Sequence, residues 1–174
     1  LDFGEVTFVS PDDGGVERCR ETAKLVRCPR VTFIHKFKNA EGTIEEMILL
    51  DPELIEGRDC LLIDDMVDTA GTLCGAADAL RRAGAKRIIA ACVHPVLSTK
   101  DGVRAAARIA RSSIDRLYVT DTIPLGDRVT TGTESDKIHV VSVARLIAGA
   151  IHEIHRHGSV SGIFKRTCQE IMED

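Results

Sequence analysis

Short runs of β-branched and aliphatic residues alternate along the chain with segments whose apolar positions recur at helical spacing. Strands are predicted at Val6–Ser10, Val31–His35, Asp59–Ile63, Arg87–Val93, Leu117–Thr120 and Ile138–Val141, of which Asp59–Ile63 is the most apolar. Helices are predicted at Gly15–Leu25, Gly71–Ala83, Asp101–Arg111 and Ser142–His155. The first presents a charged face of Glu17, Arg18, Arg20, Glu21 and Lys24, and the second is Ala-rich and ended by Gly84. Strand–helix alternation of this kind implies an α/β fold with a parallel sheet flanked by helices. The polar stretches Phe37–Asp51 and Gly126–Lys137 lack periodicity and read as surface loops, and Phe164–Asp174 reads as a short helix.

Composition narrows the picture. The 174 residues suit one domain, and hydrophobic residues make up 44% of them, an ordinary globular share. Aromatics are 3% with no Trp, so the core must be built from Ile, Leu, Val and Ala. A formal net charge of −4 argues against nucleic acid as a partner, which usually needs a basic face. No apolar run reaches the length of a bilayer span, so no membrane partner is expected. Cysteines 19, 28, 60, 74, 92 and 168 form no C-x-x-C pair, which predicts buried reduced thiols in a cytoplasmic protein. The chain opens on Leu1 and enters the apolar run Val6–Val9 almost at once, which implies a segment upstream.

The chemistry concentrates in Leu61-Leu62-Ile63-Asp64-Asp65-Met66-Val67-Asp68-Thr69-Ala70-Gly71-Thr72-Leu73. The apolar run brings Asp64 and Asp65 out at the carboxyl end of a central strand, the edge where open α/β sheets bind ligands. Asp68, Thr69, Ala70, Gly71 and Thr72 form the next turn, and a helix follows immediately. A helix start offers free N–H groups and the positive end of the dipole, which suits a phosphate. Small residues let the backbone approach it, and the threonines add hydroxyl donors. The paired carboxylates would repel a phosphate; accepting hydrogen bonds from sugar hydroxyls fits them instead. A P-loop reading fails for want of G-x-x-x-x-G-K-[ST]. A prenyl-synthase reading of Asp64–Asp68 fails because that motif belongs inside long helices.

Asp64–Thr72 resembles the phosphoribosyl pyrophosphate loop of type I phosphoribosyltransferases and ribose-phosphate pyrophosphokinases. The wider chain is similar only to the second group. It matches that group at Val9–Val16, at His94-Pro95-Val96-Leu97-Ser98, at Val119–Pro124 and at Ser159–Phe164. The resemblance implies a type I phosphoribosyltransferase-like domain over residues 1–174, the carboxy-terminal domain of a longer two-domain enzyme. The implied activity transfers the pyrophosphoryl group of ATP to the anomeric hydroxyl of ribose 5-phosphate, giving phosphoribosyl pyrophosphate and AMP, with Mg²⁺ as cofactor. By position, Asp68–Thr72 would hold the 5-phosphate, Asp64 and Asp65 the ribose hydroxyls, and Asp12 a metal. Lys36 and Lys38 would supply catalytic cations, Lys38 standing where the pattern has Arg. Ser159 and Ser161 match a region that binds regulatory phosphate or ADP. A homo-oligomer is implied, a hexamer in the family, and this half alone should be inactive.

Departures from the pattern include Pro95 in place of a Gly, an insertion near Asp51-Pro52 and the long Gly126–Lys137 stretch. His152, His155 and His157 read as cations at a helix end. Two other readings stand beside the enzyme half: a non-catalytic regulatory homologue, which the intact Asp68–Thr72 loop disfavours, and a free-standing phosphoribosyltransferase.

Overall fold

A computed structural model of the chain describes residues 3–38, 44–129, 132 and 136–163. In chain order they form β1 (Val6–Ser10), α1 (Val16–Leu25), β2 (Val31–Lys38), β3 (Ile44–Leu49), β4 (Asp59–Val67) and α2 (Gly71–Arg82). There follow β5 (Arg87–Pro95), β6 (Thr99–Lys100), β7 (Val103–Arg104), α3 (Ala105–Arg111), β8 (Arg116–Thr120), β9 (Ile138–Val141) and α4 (Ala144–His155). Seven strands make one sheet in the order β3-β2-β1-β4-β5-β8-β9. Every neighbouring pair is parallel except β2 with β3. From β1 the chain first winds outward to β2, then returns to place β4 on the other side and winds away through β5, β8 and β9. The order therefore reverses between β1 and β4, and the carboxyl ends of those two strands flank a crevice.

Two apolar clusters sandwich the sheet. Leu62, Leu73, Leu80, Ile88, Ile109 and Leu117 fill the side covered by α2 and α3. Val6, Phe8, Cys19, Ala23 and Cys28 fill the side under α1. Apart from Phe8, the largest fully buried side chains are Ile, Leu and Val, as the aromatic-poor composition requires. The five described cysteines are free and buried, and burial pushes the Cys19 and Cys60 thiols up to about 12. Cys168 and the predicted helix at Phe164–Asp174 lie outside the described residues. Among the described residues no helix is long and apolar enough to cross a membrane.

The structure corrects three expectations. Phe37–Asp51 is not a loop throughout: β2 continues through Lys38 and β3 pairs back along it, with Ile34 opposite Leu49. Met47 points from β3 onto α2, where a Cβ on Gly75 would stand 2.9 Å from its Sδ. Second, β4 does not stop at Ile63 but runs through Val67, so Asp64 and Asp65 belong to the strand. Third, the helix foreseen from Asp101 starts at Ala105, because Asp101 and Gly102 turn the β6–β7 hairpin with φ of 52° and 72°. The Gly126–Lys137 segment carries only a short 3₁₀ turn at Gly126–Arg128 among its described residues.

Candidate functional site

The end of β4 is where the strand loses a neighbour. β1 pairs with it only from Asp59 to Leu62, so the N–H groups beyond are left without a ladder partner on that edge. Two local bonds mark this stretch: Asp65 N donates to Asp64 Oδ1 at 2.9 Å and Met66 N to Asp65 Oδ1 at 3.0 Å. Charged residues are tolerated inside this strand because each carboxylate accepts a neighbouring N–H and faces Arg18.

The chain then turns through Asp68, Thr69 and Ala70 into α2. Ala70 caps the helix in the left-handed region (φ 61°, ψ 7°) without a side-chain capping bond, a conformation that costs a non-glycine residue about 1–2 kcal/mol. A left-handed residue at a helix start gathers successive N–H groups into a concavity that suits an anion. The first intrahelical bond there is from Cys74 N to Ala70 O, so the N–H groups of Gly71, Thr72 and Leu73 have no partner within the helix. From behind, Leu97 N donates to Val67 O and Ser98 N to Asp68 O, tying the loop's carbonyls inward. A cleft of about 160 Å³ opens over the loop, lined by Asp12, Asp64, Met66 and the run from Val67 to Leu73.

The β1–α1 turn closes the crevice from the other side. Asp12 is extended (φ −160°) and its Oδ1 accepts from Gly15 N at 3.2 Å. Its Oδ2 takes Lys36 Nζ at 2.8 Å, and the same ammonium donates to Thr72 Oγ1 at 3.1 Å. With a side chain only 9% exposed, Lys36 joins β2, the β1–α1 turn and the phosphate-type loop. Next to it, Asp13 Oδ1 and His35 Nδ1 lie 2.6 Å apart, so two successive acids grip two successive residues of β2. The contact with His35 holds the Asp13 carboxyl below the usual range. Arg18, from α1, spans the acid pair, 3.4 Å from Asp64 and 3.0 Å from Asp65.

These contacts drive the two carboxyls of the pair apart. Burial first, then the neighbouring Asp65 carboxyl and the Asp12 charge, push Asp64 up to about 6. Asp65 is held below the carboxylate range by its hydrogen bond with Asp64 and by Arg18. The pair therefore keeps its last proton on Asp64.

An open α/β sheet whose switch point carries a small-residue helix start and an acid pair defines a class of domain that meets its ligands at the strands' carboxyl ends. The chain belongs to the phosphoribosyl transferase domain family, whose pattern it matches over residues 1–119. It is 44% identical over 161 residues to ribose-phosphate pyrophosphokinase 2 of Enterococcus faecalis, covering 92% of this chain and 46% of that protein. It is 43% identical over 162 residues to the ribose-phosphate pyrophosphokinase of Burkholderia pseudomallei, covering 93% and 48%. The crystal structure of the phosphoribosylpyrophosphate synthetase of Mycobacterium smegmatis superposes with a TM-score of 0.74 at 31% identity, covering 89% of this chain and 46% of that one. The chain spans about half the length of the curated relatives it matches.

Of the residues singled out from sequence, Asp12, Asp64 and Asp68–Thr72 line one cleft and Lys36 bridges it. Asp65 stands beside that cleft, turned to Arg18. Lys38 is the last residue of β2; its side chain lies outside what is described. Ser159 and Ser161 are exposed beyond α4 and do not line the cleft. Sequence reading missed Arg18, His35 and Asp13 as site residues. Arg18 was hidden in a charged helix face, and the Asp13–His35 pair depends on strand placement that no local pattern reveals.

Proposed function

We propose that this chain supplies the ribose 5-phosphate side of a ribose-phosphate pyrophosphokinase, which transfers the pyrophosphoryl group of ATP to the anomeric hydroxyl and yields phosphoribosyl pyrophosphate and AMP. One observation carries the reading: free N–H groups of α2 and the Asp64 carboxylate line the same small cleft, which Lys36 bridges from Asp12 to Thr72. The 5-phosphate sits on Asp68–Thr72, and Asp64 and Asp65 accept the sugar hydroxyls. Lys36, with Lys38 from the same strand end, neutralises charge that develops on the transferred group.

The donor set fits a hard cation. Asp12 and Asp64 line one cleft, and the Asp64 carboxyl is raised partly by the Asp12 charge, a repulsion that a cation relieves. Mg²⁺ is usually held by one or two carboxylates with water and substrate phosphates, a donor set that Asp12 and Asp64 can supply. Mg²⁺ would sit at Asp12 and Asp64 and lend the phosphoryl oxygens positive charge. A cytoplasmic homo-oligomer, with regulatory phosphate or ADP near Ser159 and Ser161, belongs to the same proposal.

The test is a titration with ribose 5-phosphate followed by amide chemical shifts, with Thr72→Val as control. Shifts clustered at residues 68–72 and lost in the variant are expected. Saturating ligand with no response there would reduce the loop to an acidic turn.

A further inference from the structure

The acid pair is gripped by a cation to which the reaction above gives no role. Arg18 lies in the first turn of α1, and its reach depends on how closely that helix approaches the sheet. A Cβ on Gly15 would stand 2.7 Å from Ser10 Oγ, so glycine is what lets α1 begin directly over the end of β1. From there the guanidinium forks across two successive carboxylates of β4. Nη1 lies 3.4 Å from Asp64 Oδ1 and Nη2 lies 3.0 Å from Asp65 Oδ2. The Asp64 carboxylate is thereby fixed through Oδ1, which also accepts from Asp65 N at 2.9 Å. Asp65 is fixed through both oxygens, Oδ1 accepting from Met66 N at 3.0 Å. Each acid thus has one tie to the backbone and one to Arg18.

We propose that Arg18 is a positioning residue for sugar recognition. It sets the orientation of Asp64 and Asp65, so that the pair accepts two vicinal hydroxyls at once, and it thereby fixes the discrimination between ribose and 2-deoxyribose 5-phosphates. The inference rests on the reading that these acids meet the sugar. The geometry demands a planar fork: a single ammonium at position 18 reaches one carboxylate well and leaves the other free to turn. The polar contacts of the Arg18 side chain are with Asp64 and Asp65 rather than with Asp68–Thr72, so phosphate binding should change far less than sugar binding.

The experiment titrates the full chain, Arg18→Gln and Arg18→Lys with inorganic phosphate, ribose 5-phosphate and 2-deoxyribose 5-phosphate. The unsubstituted chain should favour ribose over the deoxy sugar by on the order of 10-fold, the worth of one hydrogen bond to a charged group. Arg18→Gln should weaken ribose 5-phosphate by about as much, bring the sugar ratio close to 1, and leave phosphate affinity within about 2-fold. Arg18→Lys should fall between. A retained sugar ratio in Arg18→Gln would overturn the proposal. So would tighter ribose 5-phosphate binding, which would make Arg18 a competitor for the acids, or a parallel loss of phosphate, which would make its role one of general folding. An unsubstituted chain that binds ribose 5-phosphate no better than phosphate, with no sugar ratio, would instead sink the site reading itself, and the positioning role with it.

Discussion

The α1 side of the sheet has two halves that differ in cover. Over β1, β2 and β4, α1 packs down and leaves Val6, Phe8 and Cys19 buried. Over β5, β8 and β9 no described element covers the same face, with Val93 42% and Val141 53% exposed among the described residues. The two long helices after β4 differ in the same way. α2 buries Leu73, Cys74, Ala76, Ala77, Ala79 and Leu80, whereas α4 has no buried residue and exposes Ile151 at 63%. Lys36 and its contact with Asp12 fall on the packed half, whereas Arg18 and Asp64 stand at the border and line a cavity of about 410 Å³ with Val93 and Val141 of the open half. The side chains of the candidate site come from four packed elements, α1, β2, β4 and the start of α2, and from turns tied to them. Burial and two polar contacts hold Lys36 in place, and the acid pair holds the more exposed Arg18, against the rotamer entropy that long cationic side chains lose when fixed.

The contrast can be broken by substitution. Leu80→Ala on α2 removes a fully buried side chain and should cost about 2–5 kcal/mol in the urea unfolding midpoint at constant slope. Ile151→Ser on α4 should stay within about 0.5 kcal/mol in the same assay; equal losses would show that α4 is packed after all. Between these lies Lys36→Ala, read as pyrophosphokinase turnover in the full-length enzyme. Its kcat should fall on the order of 10²-fold, about 2.7 kcal/mol, with a smaller rise in KM for ribose 5-phosphate. A change confined to KM would make Lys36 a binding residue.

Sequence reading reached the packed half more fully than the open one. The apolar run into Asp64 and the small residues after Asp68 carry their own local signals, and strand, turn and helix followed from them. Asp64 and Asp65 were placed at the carboxyl end of a strand that stopped with the apolar run at Ile63, whereas β4 continues through both to Val67. β3 was lost because its alternation is short: Glu46 and Ile48 face out while Met47 and Leu49 pack inward. The β6–β7 hairpin was legible, since Asp101-Gly102 is the dipeptide that two-residue turns favour, but the Ala-rich run after it masked the signal. α4 was foreseen as a helix from its periodicity, yet the same amphipathic pattern fits a packed helix and an uncovered one. Arg18 and the Asp13–His35 pair needed the sheet order, which brings together residues 46 and 22 positions apart.

The smallest expected effect concerns Asp64 alone. Its carboxyl is pushed from an ordinary value of 3.8 up to about 6, mainly by burial. Between roughly pH 4 and pH 6 the folded chain therefore holds a proton that the unfolded chain has released, and stability falls as pH rises through that window. Asp65, held low by the same contact, contributes in the opposite sense and offsets part of the change. At pH 7.5 an ionised, largely buried Asp64 is thus a net cost to the fold. Asp64→Asn should raise the melting midpoint at pH 7.5, by no more than about 1 kcal/mol once the loss of its contact with Arg18 is counted. The gain should shrink as the pH is lowered toward 4, where the native carboxyl is already protonated. The same variant should bind ribose 5-phosphate less well, because an amide offers the sugar a single neutral acceptor. Melting curves from pH 4 to 8 on both chains decide the matter. A variant no more stable at pH 7.5, or a gap that does not change with pH, would mean that Asp64 ionises without penalty and that the contact with Asp65 leaves its proton unshifted.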